Sequence, residues 1–473
     1  MATYHLNAAD LITLLSSTVT PGTEGAILQT LIQNGDFPGP VGSLEHVETV
    51  AGPPGSVPSI SDDAIAAGTQ LELITIPTST PVTGSTFPPP TVGGASPSAT
   101  FNFLSPGNVI IGAGDQAVVV KDYNTSSIAD TVIGGAGLER LISETGSNVL
   151  MAGSGQNTLI GGAGNDTLIG GGTSRLVAGT GDQMLIGGAS SSAQDTLIGG
   201  SGADTLKVTM GANRLVGGAG LNTLYGGAGA DTLLGGGQSS LVAGSGANLL
   251  KGGFASSSAD TLIGGSGADK LKVIMGDNSL VGGSGQNTLL AGSGNDTLIG
   301  GGDSRLVAAG GGDTLTSSAS GSGHDTLVGA GVGDDSLTAA AGDNRLISGA
   351  GKDTLTAGSG HDTLVAGNMD DVSMVGGAGV FRAVDTSGAN ATLVGGSGGG
   401  HALLGKVGDD SVMGGTGSIS ISSLQNSSDI VANSSTAVGG LHTLTFSDGQ
   451  TIVVNDINSN ITIHFADGGT TVV

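Results

Sequence analysis

Residues 152–160 read AGSGQNTLI and residues 161–169 read GGAGNDTLI, the same nine-residue frame with an Asn in one copy and an Asp in the next. The frame is Gly-Gly-x-Gly-x-Asp-x-Leu-x, and its clearest copies are Gly161–Ile169, Gly199–Lys207, Gly226–Leu234 and Gly264–Lys272. Six residues of turn chemistry precede three of strand chemistry, because glycine admits the positive φ of a tight turn. Alternation in the strand turns the Leu inward and its neighbours outward. A unit this short cannot bury a core alone, so the units must stack.

A second period runs over the first. Asp130, Asp195, Asp260 and Asp325 lie 65 residues apart, as do Asp204 and Asp269, and Asp166, Asp231 and Asp296. Within one long repeat the frame position reads Asp195, Asp204, Asn213, Asn222, Asp231, Ser239, Asn248 and Asp260, in steps of 9, 9, 9, 9, 8, 9 and 12. Each long repeat therefore holds seven short units, with one deletion and one insertion, Ala-Ser-Ser-Ser-Ala at 189–193 and again at 255–259. The fourth copy slips by one at Asp335, continues through Asn344, Asp353 and Asp362, and degrades after Met369.

Composition narrows the class. Glycine supplies 92 of 473 residues without a Gly-X-Y triplet, which excludes collagen. Aromatic residues are 2% and Trp is absent, so the core must be built from Leu, Ile and Val. The 13 basic and 39 acidic residues give a net charge of −26, which argues against nucleic acid and anionic lipid and favours a cation as partner. Cysteine is absent, so neither disulfides nor thiolate metal sites are available. No apolar run approaches the length of a membrane span. The first Lys or Arg is Lys121, so no basic n-region marks an N-terminal secretion signal.

The flanks differ from the repeats. Residues 1–36 carry two helix-like patterns, around Leu11–Leu15 and Ile27–Ile32. Residues 37–104 are rich in Pro, Ser and Thr and read as a linker or strand region. The repeat region is 105–417, and 418–473 closes with two copies of one hairpin, 441–454 and 461–473, each turning on Asp-Gly. The hairpins are expected to cap the stack. The fold expected is all-β, a parallel β-roll or β-helix solenoid with a small, partly helical N-terminal segment and a β-hairpin cap.

The nonapeptide resembles that of the repeats-in-toxin (RTX) family of secreted bacterial proteins, over roughly residues 105–417. The resemblance implies two units per coil, Ca²⁺ held between turns by Asp side chains and backbone carbonyls, and type I secretion through an uncleaved C-terminal signal. The ligands it implies are Asp130, Asp166, Asp195, Asp204, Asp231, Asp260, Asp269, Asp296, Asp313, Asp325, Asp335, Asp353, Asp362 and Asp410. Ca²⁺ is a hard cation that takes six to eight oxygens, so the chemistry is apt.

Two units per coil also make predictions about stacking. Asp195 stacks on Asn213, Asp204 on Asn222, Asn213 on Asp231, Asp231 on Asn248, Asp260 on Asn278, Asp269 on Asn287 and Asn278 on Asp296, one acid per pair. Two acids meet mainly at Asp296–Asp313 and Asp335–Asp353. Either each site keeps Ca²⁺ with one charge fewer, or Asn and Ser turns hydrogen-bond their own backbone and are calcium-free; a mixture of the two is favoured. Seven units end half a coil out of phase, so frame acids 65 residues apart belong on opposite edges. The Thr that follows the frame acid, as in Thr158, Thr167, Thr196 and Thr205, should form outward ladders.

No catalytic motif is present: there is no His-Glu-x-x-His, no Gly-x-Ser-x-Gly and no phosphate loop, and His324 and His361 sit at variable turn positions. The function expected is structural, not enzymatic: a secreted subunit that self-associates into a surface layer, matrix or filament. An adhesin whose Thr ladders bind a cell-surface polysaccharide or ice is the alternative, and a secreted enzyme with an RTX tail is the third.

Overall fold

The computed structural model describes residues 138–473, except 189, 256, 258, 320–322, 368–370, 389, 436–440, 456–460 and 473, and before them the stretches 46–49, 71–75, 99–103, 108–112, 118–122 and 131–134. The expected helices of residues 1–36 lie outside the described residues. Among those residues the only helical segment is one 3₁₀ turn, Ser427–Asp429. The chain forms two compact units, Met1–Gly236 and Gly237–Val473. Each is an all-β parallel solenoid whose coil contains two short strands, one in each of two facing sheets.

In the first unit Leu168 pairs with Leu185, Leu185 with Leu206 and Leu206 with Leu224 in one sheet. Leu159, Leu176, Leu197, Leu215 and Leu233 form the equivalent column in the other. A partner therefore lies 17, 18 or 21 residues away, which is two nonapeptides, one shortened, or one lengthened by the Ala-Ser-Ser-Ser-Ala insertion. The second unit repeats the arrangement with Leu262, Leu280, Leu298 and Leu315 in one sheet and Leu271, Leu289, Leu306 and Leu327 in the other. All these leucines are fully buried, and each contributes about 2 kcal/mol of transfer free energy. Aliphatic ladders thus replace the aromatic core that the composition lacks. Three strands in the 37–104 stretch follow the same scheme: His46–Thr49 pairs in parallel with Leu71–Thr75, which pairs with Asn108–Gly112, and Ala99–Phe103 pairs with Val118–Asp122.

The half-coil phase is visible inside each unit. In the first, Thr131–Ile133, after Asp130, belongs to one sheet, and Thr196–Ser201, after Asp195, belongs to the other. In the second, Thr261–Ser266, after Asp260, and Thr326–Val328, after Asp325, again fall in different sheets.

This phase divides the expected Thr ladders into two kinds. One sheet of the second unit presents Ser240, Thr261, Ser279, Thr297, Thr314, Ser336, Thr354, Ser373, Thr392 and Ser411 outward in successive coils, an unbroken hydroxyl column. In the other sheet Thr alternates with a cation: Lys270, Thr288, Arg305, Thr326, Arg345, Thr363 and Arg382. The first unit has the same alternation in Arg140, Thr158, Arg175, Thr196, Arg214 and Thr232. We term these the hydroxyl and the arginine sheets; in the first unit the column of the hydroxyl sheet reads Thr131, Val149, Thr167, Met184, Thr205 and Thr223.

Beyond residue 370 the coils continue although the frame does not. Phe381, fully buried, stands where the frame acid stood, and a Cβ on Gly376 or Gly400 would run into its ring. The C-terminal hairpins extend both sheets of the second unit. Thr451–Asn455 pairs in parallel with Asp410–Met413 and antiparallel with Leu441–Phe446. Thr462–His464 pairs in parallel with Ile419–Ser423 and antiparallel with Thr470–Val472. The Asp-Gly turns place Gly449 at φ 91° and Gly468 at φ 84°. Phe446 and Phe465, both buried, meet edge to face with ring centres 6.4 Å apart.

Candidate metal centre

The frame acids point inward. Alternation along the strand places the residue two before each Leu on the Leu side, so the acids are buried in the turns. Asp166, Asp195, Asp204 and Asp231 of the first unit, and Asp260, Asp269, Asp296, Asp313, Asp325, Asp335, Asp353, Asp362 and Asp410 of the second, are all at most 4% exposed. Asp130 lies outside the described residues.

One carboxylate oxygen has a fixed task. Asp166 Oδ1 accepts the backbone N–H of Asn148, one coil earlier, at 2.8 Å, and Asp204 Oδ1 that of Gln183 at 3.0 Å. Asp269 takes Asn248 N–H at 2.9 Å and Asp313 takes Asp296 N–H at 2.7 Å. The other oxygen divides the acids into two groups. At Asp195, Asp260 and Asp325, which close the insertion loops, Oδ2 accepts the backbone N–H of Gly188, Gly253 and Ser318, and at Asp296, Asp353 and Asp362 it accepts that of Gly292, Gly349 and Gly358 within the turn. At Asp166, Asp204, Asp269 and Asp313, Oδ2 is buried and accepts no hydrogen bond. A buried carboxylate with an unsatisfied oxygen is costly. Burial accordingly pushes Asp166, Asp204 and Asp313 up to about 6, against the backbone hydrogen bonds that lower them.

The Asn turns show what fills that slot elsewhere. Asn157 Nδ2 donates to the carbonyls of Gly153 and Gly155 at 2.9 and 3.1 Å. Asn222 Nδ2 reaches Gly218 and Gly220, and Asn287 Nδ2 reaches Gly283 and Gly285, at 3.1 and 3.3 Å in both turns. The first glycine of the frame marks the slot. A Cβ on Gly217 or Gly282 would lie 2.9 Å from the Asn amide nitrogen, and one on Gly264 would lie 2.6 Å from Asp269 Oδ2. Amide nitrogen and carboxylate oxygen therefore occupy equivalent places facing the carbonyls of the turn. In an Asn turn the NH₂ supplies positive charge density to those carbonyls. Where no N–H reaches Oδ2, as at Asp166, Asp204 and Asp269, oxygen faces oxygen, and a hard cation would satisfy both. The glycines keep the slot open: Gly200 and Gly202 have φ of 105° and 130°, and a Cβ on either would strike a carbonyl of the previous coil.

The stacked pairs within each unit are those that two units per coil require: Asp195 on Asn213, Asp204 on Asn222, Asn213 on Asp231, Asp260 on Asn278, Asp269 on Asn287, Asn278 on Asp296. One contact escaped the sequence reading. Asp313 N–H donates to Asp335 Oδ1 at 2.8 Å, which joins the two expected acid pairs into a run of four, Asp296, Asp313, Asp335 and Asp353. Burial, then the charges of Asp353 and Asp313, push Asp335 up to about 7.

Sequence reasoning also missed Asp385, fully buried beside Asp410. Burial, then the Asp385 charge, push Asp410 up to about 7. No frame position marks Asp385. Among the described residues no three His, Asp or Glu side chains converge on one point, so a cation in a turn would draw its ligands from one carboxylate and from backbone carbonyls. His324 and His361 flank Asp343 on the exposed outer rim, with Nδ1 3.3 Å from its carbonyl and 3.4 Å from its Oδ1 respectively.

Comparison with known proteins agrees with this geometry. The family model HemolysinCabind, the RTX calcium-binding nonapeptide repeat, matches residues 142–177, 190–207, 209–242, 240–272, 275–307 and 329–364. None of the curated proteins compared with the chain matches it. RTX nonapeptide repeats bind calcium ions, and the slots described above suit that ion. Several copies of the RTX calcium-binding nonapeptide repeat thus lie in this chain between residues 142 and 364.

Proposed function

We propose that the chain is a secreted structural protein whose solenoid units are stabilised by Ca²⁺ in some turns and by Asn amides in others, and that it assembles as a surface-layer or matrix subunit. The RTX region is a structural β-roll rather than a catalytic domain. RTX repeat proteins are typically exported by type I systems, and among the described residues no helix is long and apolar enough to cross a membrane. In this reading Ca²⁺ sits at Asp166, Asp204, Asp269 and Asp313, held by Oδ2 and turn carbonyls. The other frame acids, already satisfied in part by backbone N–H groups, bind it more weakly. Millimolar extracellular calcium suits sites with a single carboxylate.

The observation that carries the structural reading is the economy of the chain. Described coil after described coil repeats one two-strand unit, and the outward columns are regular enough to meet a neighbour at many points. Electron microscopy of the purified protein with calcium tests it: ordered sheets or filaments that disperse in chelator support it, and dispersed particles in both conditions refute it. The unbroken hydroxyl column of the second unit supports the second reading, an adhesin that meets a hydroxyl-rich solid.

A further inference from the structure

The chain has six arginines, Arg140, Arg175, Arg214, Arg305, Arg345 and Arg382. All six occupy one register position, the outward residue that follows the frame position in the arginine sheets. Lys270 holds the same position. All seven are exposed, and among the described residues none of the arginines forms an ion pair.

The two-coil phase explains the sequence behind this. Residues 130 or 131 apart fall in equivalent sheets, and Arg140, Arg175 and Arg214 recur there as Lys270, Arg305 and Arg345. Residues 65 apart fall in the hydroxyl sheets, and the counterparts there are Thr205, Ser240 and Ser279. The cation follows the face, not the repeat. The next outward column on the arginine sheets is Ile142, Ile160, Val177, Ile198 and Val216 in the first unit, and in the second Lys251 and Lys272 followed by Leu290, Val307, Val328, Ile347 and Val365. Neither column contains an acid in a chain that has 39.

We propose that the arginine face of each unit is a docking surface for an acidic polysaccharide lying along the stacking direction. Successive strands are about 4.8 Å apart, so the cations recur about every 9.6 Å. That period suits a linear polymer with an anion on every second sugar. The Thr hydroxyls between the arginines face the intervening sugar, and the aliphatic side chains of the next column lie against the C–H faces of the rings. Arginine supplies paired donors to each carboxylate or sulfate. Nucleic acid fits poorly: its phosphates are about two to three times denser along a strand, and the face has no aromatic ring for base stacking. A second copy fits less well, because the exposed acids that recur every second coil of the second unit are engaged: Asp303 and Asp343, two residues before Arg305 and Arg345, accept the N–H groups of His324 and His361. Asp334 accepts Lys352 N–H, Asp371 takes Asn390 Nδ2 and lies 3.9 Å from Lys352 Nζ, and Asp409 takes the N–H and hydroxyl of Thr451. The inference does not depend on lateral assembly.

The test uses the full chain in calcium and hyaluronan, which has a carboxylate on every second sugar, with neutral dextran and single-stranded polythymidylate as comparisons. Calorimetry and sedimentation velocity are run on the wild type, on R175Q/R214Q/R305Q/R345Q and on T205A/T223A/T297A. Circular dichroism and calcium-dependent melting report that each variant is folded; the changed side chains all face outward. The expected result is hyaluronan binding that weakens with salt, falls about tenfold or more in the arginine variant and persists in the threonine variant, with no binding to dextran. Equal binding by the arginine variant, equal binding of dextran, tighter binding of polythymidylate, or no hyaluronan binding by the wild type would each overturn the proposal. Loss of self-association in the arginine variant without any hyaluronan binding would assign the face to a second copy instead, and would leave the assembly reading standing while this one falls.

Discussion

Asn278 lies in the second unit between Asp260 and Asp296, and Asn278→Asp replaces one NH₂ by one oxygen. The retained Oδ1 still accepts Asp260 N–H at 2.9 Å. The lost Nδ2 donates to Gly276 O at 2.7 Å, Met275 O at 3.2 Å and Asp296 Oδ1 at 2.9 Å. After substitution those three acceptors face a fourth oxygen in a buried slot. Two ordinary hydrogen bonds at about 1 kcal/mol each, and one to a carboxylate at about 1.5–3 kcal/mol, set a loss of about 3–5 kcal/mol in chelator at neutral pH. Protonation of the new carboxyl would recover part of this, so the loss should shrink in mild acid. Calcium should reverse it, because a cation takes the place of the amide; at a hundredfold excess over Kd one added site returns about 2.7 kcal/mol. Urea unfolding in chelator and in calcium measures both numbers, and hydrogen exchange of residues 275–280 locates them. A variant as stable as the wild type in chelator, or one whose stability responds to calcium no more than the wild type does, would refute the equivalence of amide and ion.

The converse substitution, Asp204→Asn, should stabilise the calcium-free protein and reduce the calcium bound at saturation, as read by equilibrium dialysis. Its amide would meet Gly200 and Gly202 as Asn222 meets Gly218 and Gly220. The pH dependence in chelator has a definite sign. Asp166, Asp204 and Asp313 are raised from 3.8 to about 6, and Asp335 and Asp410 to about 7, so the folded state binds more protons than the unfolded chain between about pH 4 and 7. Calcium-free stability should therefore be highest near pH 4 and decline as pH rises to 7, whereas calcium affinity should rise over the same window; melting temperatures across pH, with and without calcium, check both. Leu280→Ala, in the middle of a fully buried column, should cost about 2–5 kcal/mol in urea unfolding, with or without calcium.

Much of the fold was legible because a solenoid writes its geometry as a period. Leu262, Leu280 and Leu298 had to stack once two units made a coil, and the acid–amide pairs followed from the same step. The acid run at Asp313–Asp335 was hidden by its 22-residue step, which combines an insertion with a one-residue slip. The arginine face was hidden because Thr and Arg share a position along the chain and separate only when alternate units turn to opposite sheets. The orphaned oxygens could not be read from the frame, since Asp195 and Asp204 are the same letter. What separates them is an insertion loop that brings Gly188 N–H to Asp195. Beyond residue 370, Phe381 fills the slot without charge, so the coil outlives the motif that announced it.

Acid turns are expected to hold the ion, and amides to stand in its place in the Asn turns. A crystal structure grown with calcium and measured for anomalous scattering tests this most directly. The account predicts peaks beside Oδ2 of Asp166, Asp204, Asp269 and Asp313, and none beside Nδ2 of Asn157, Asn222 and Asn287. Peaks of equal height beside those amides, or none beside those four carboxylates, would contradict it.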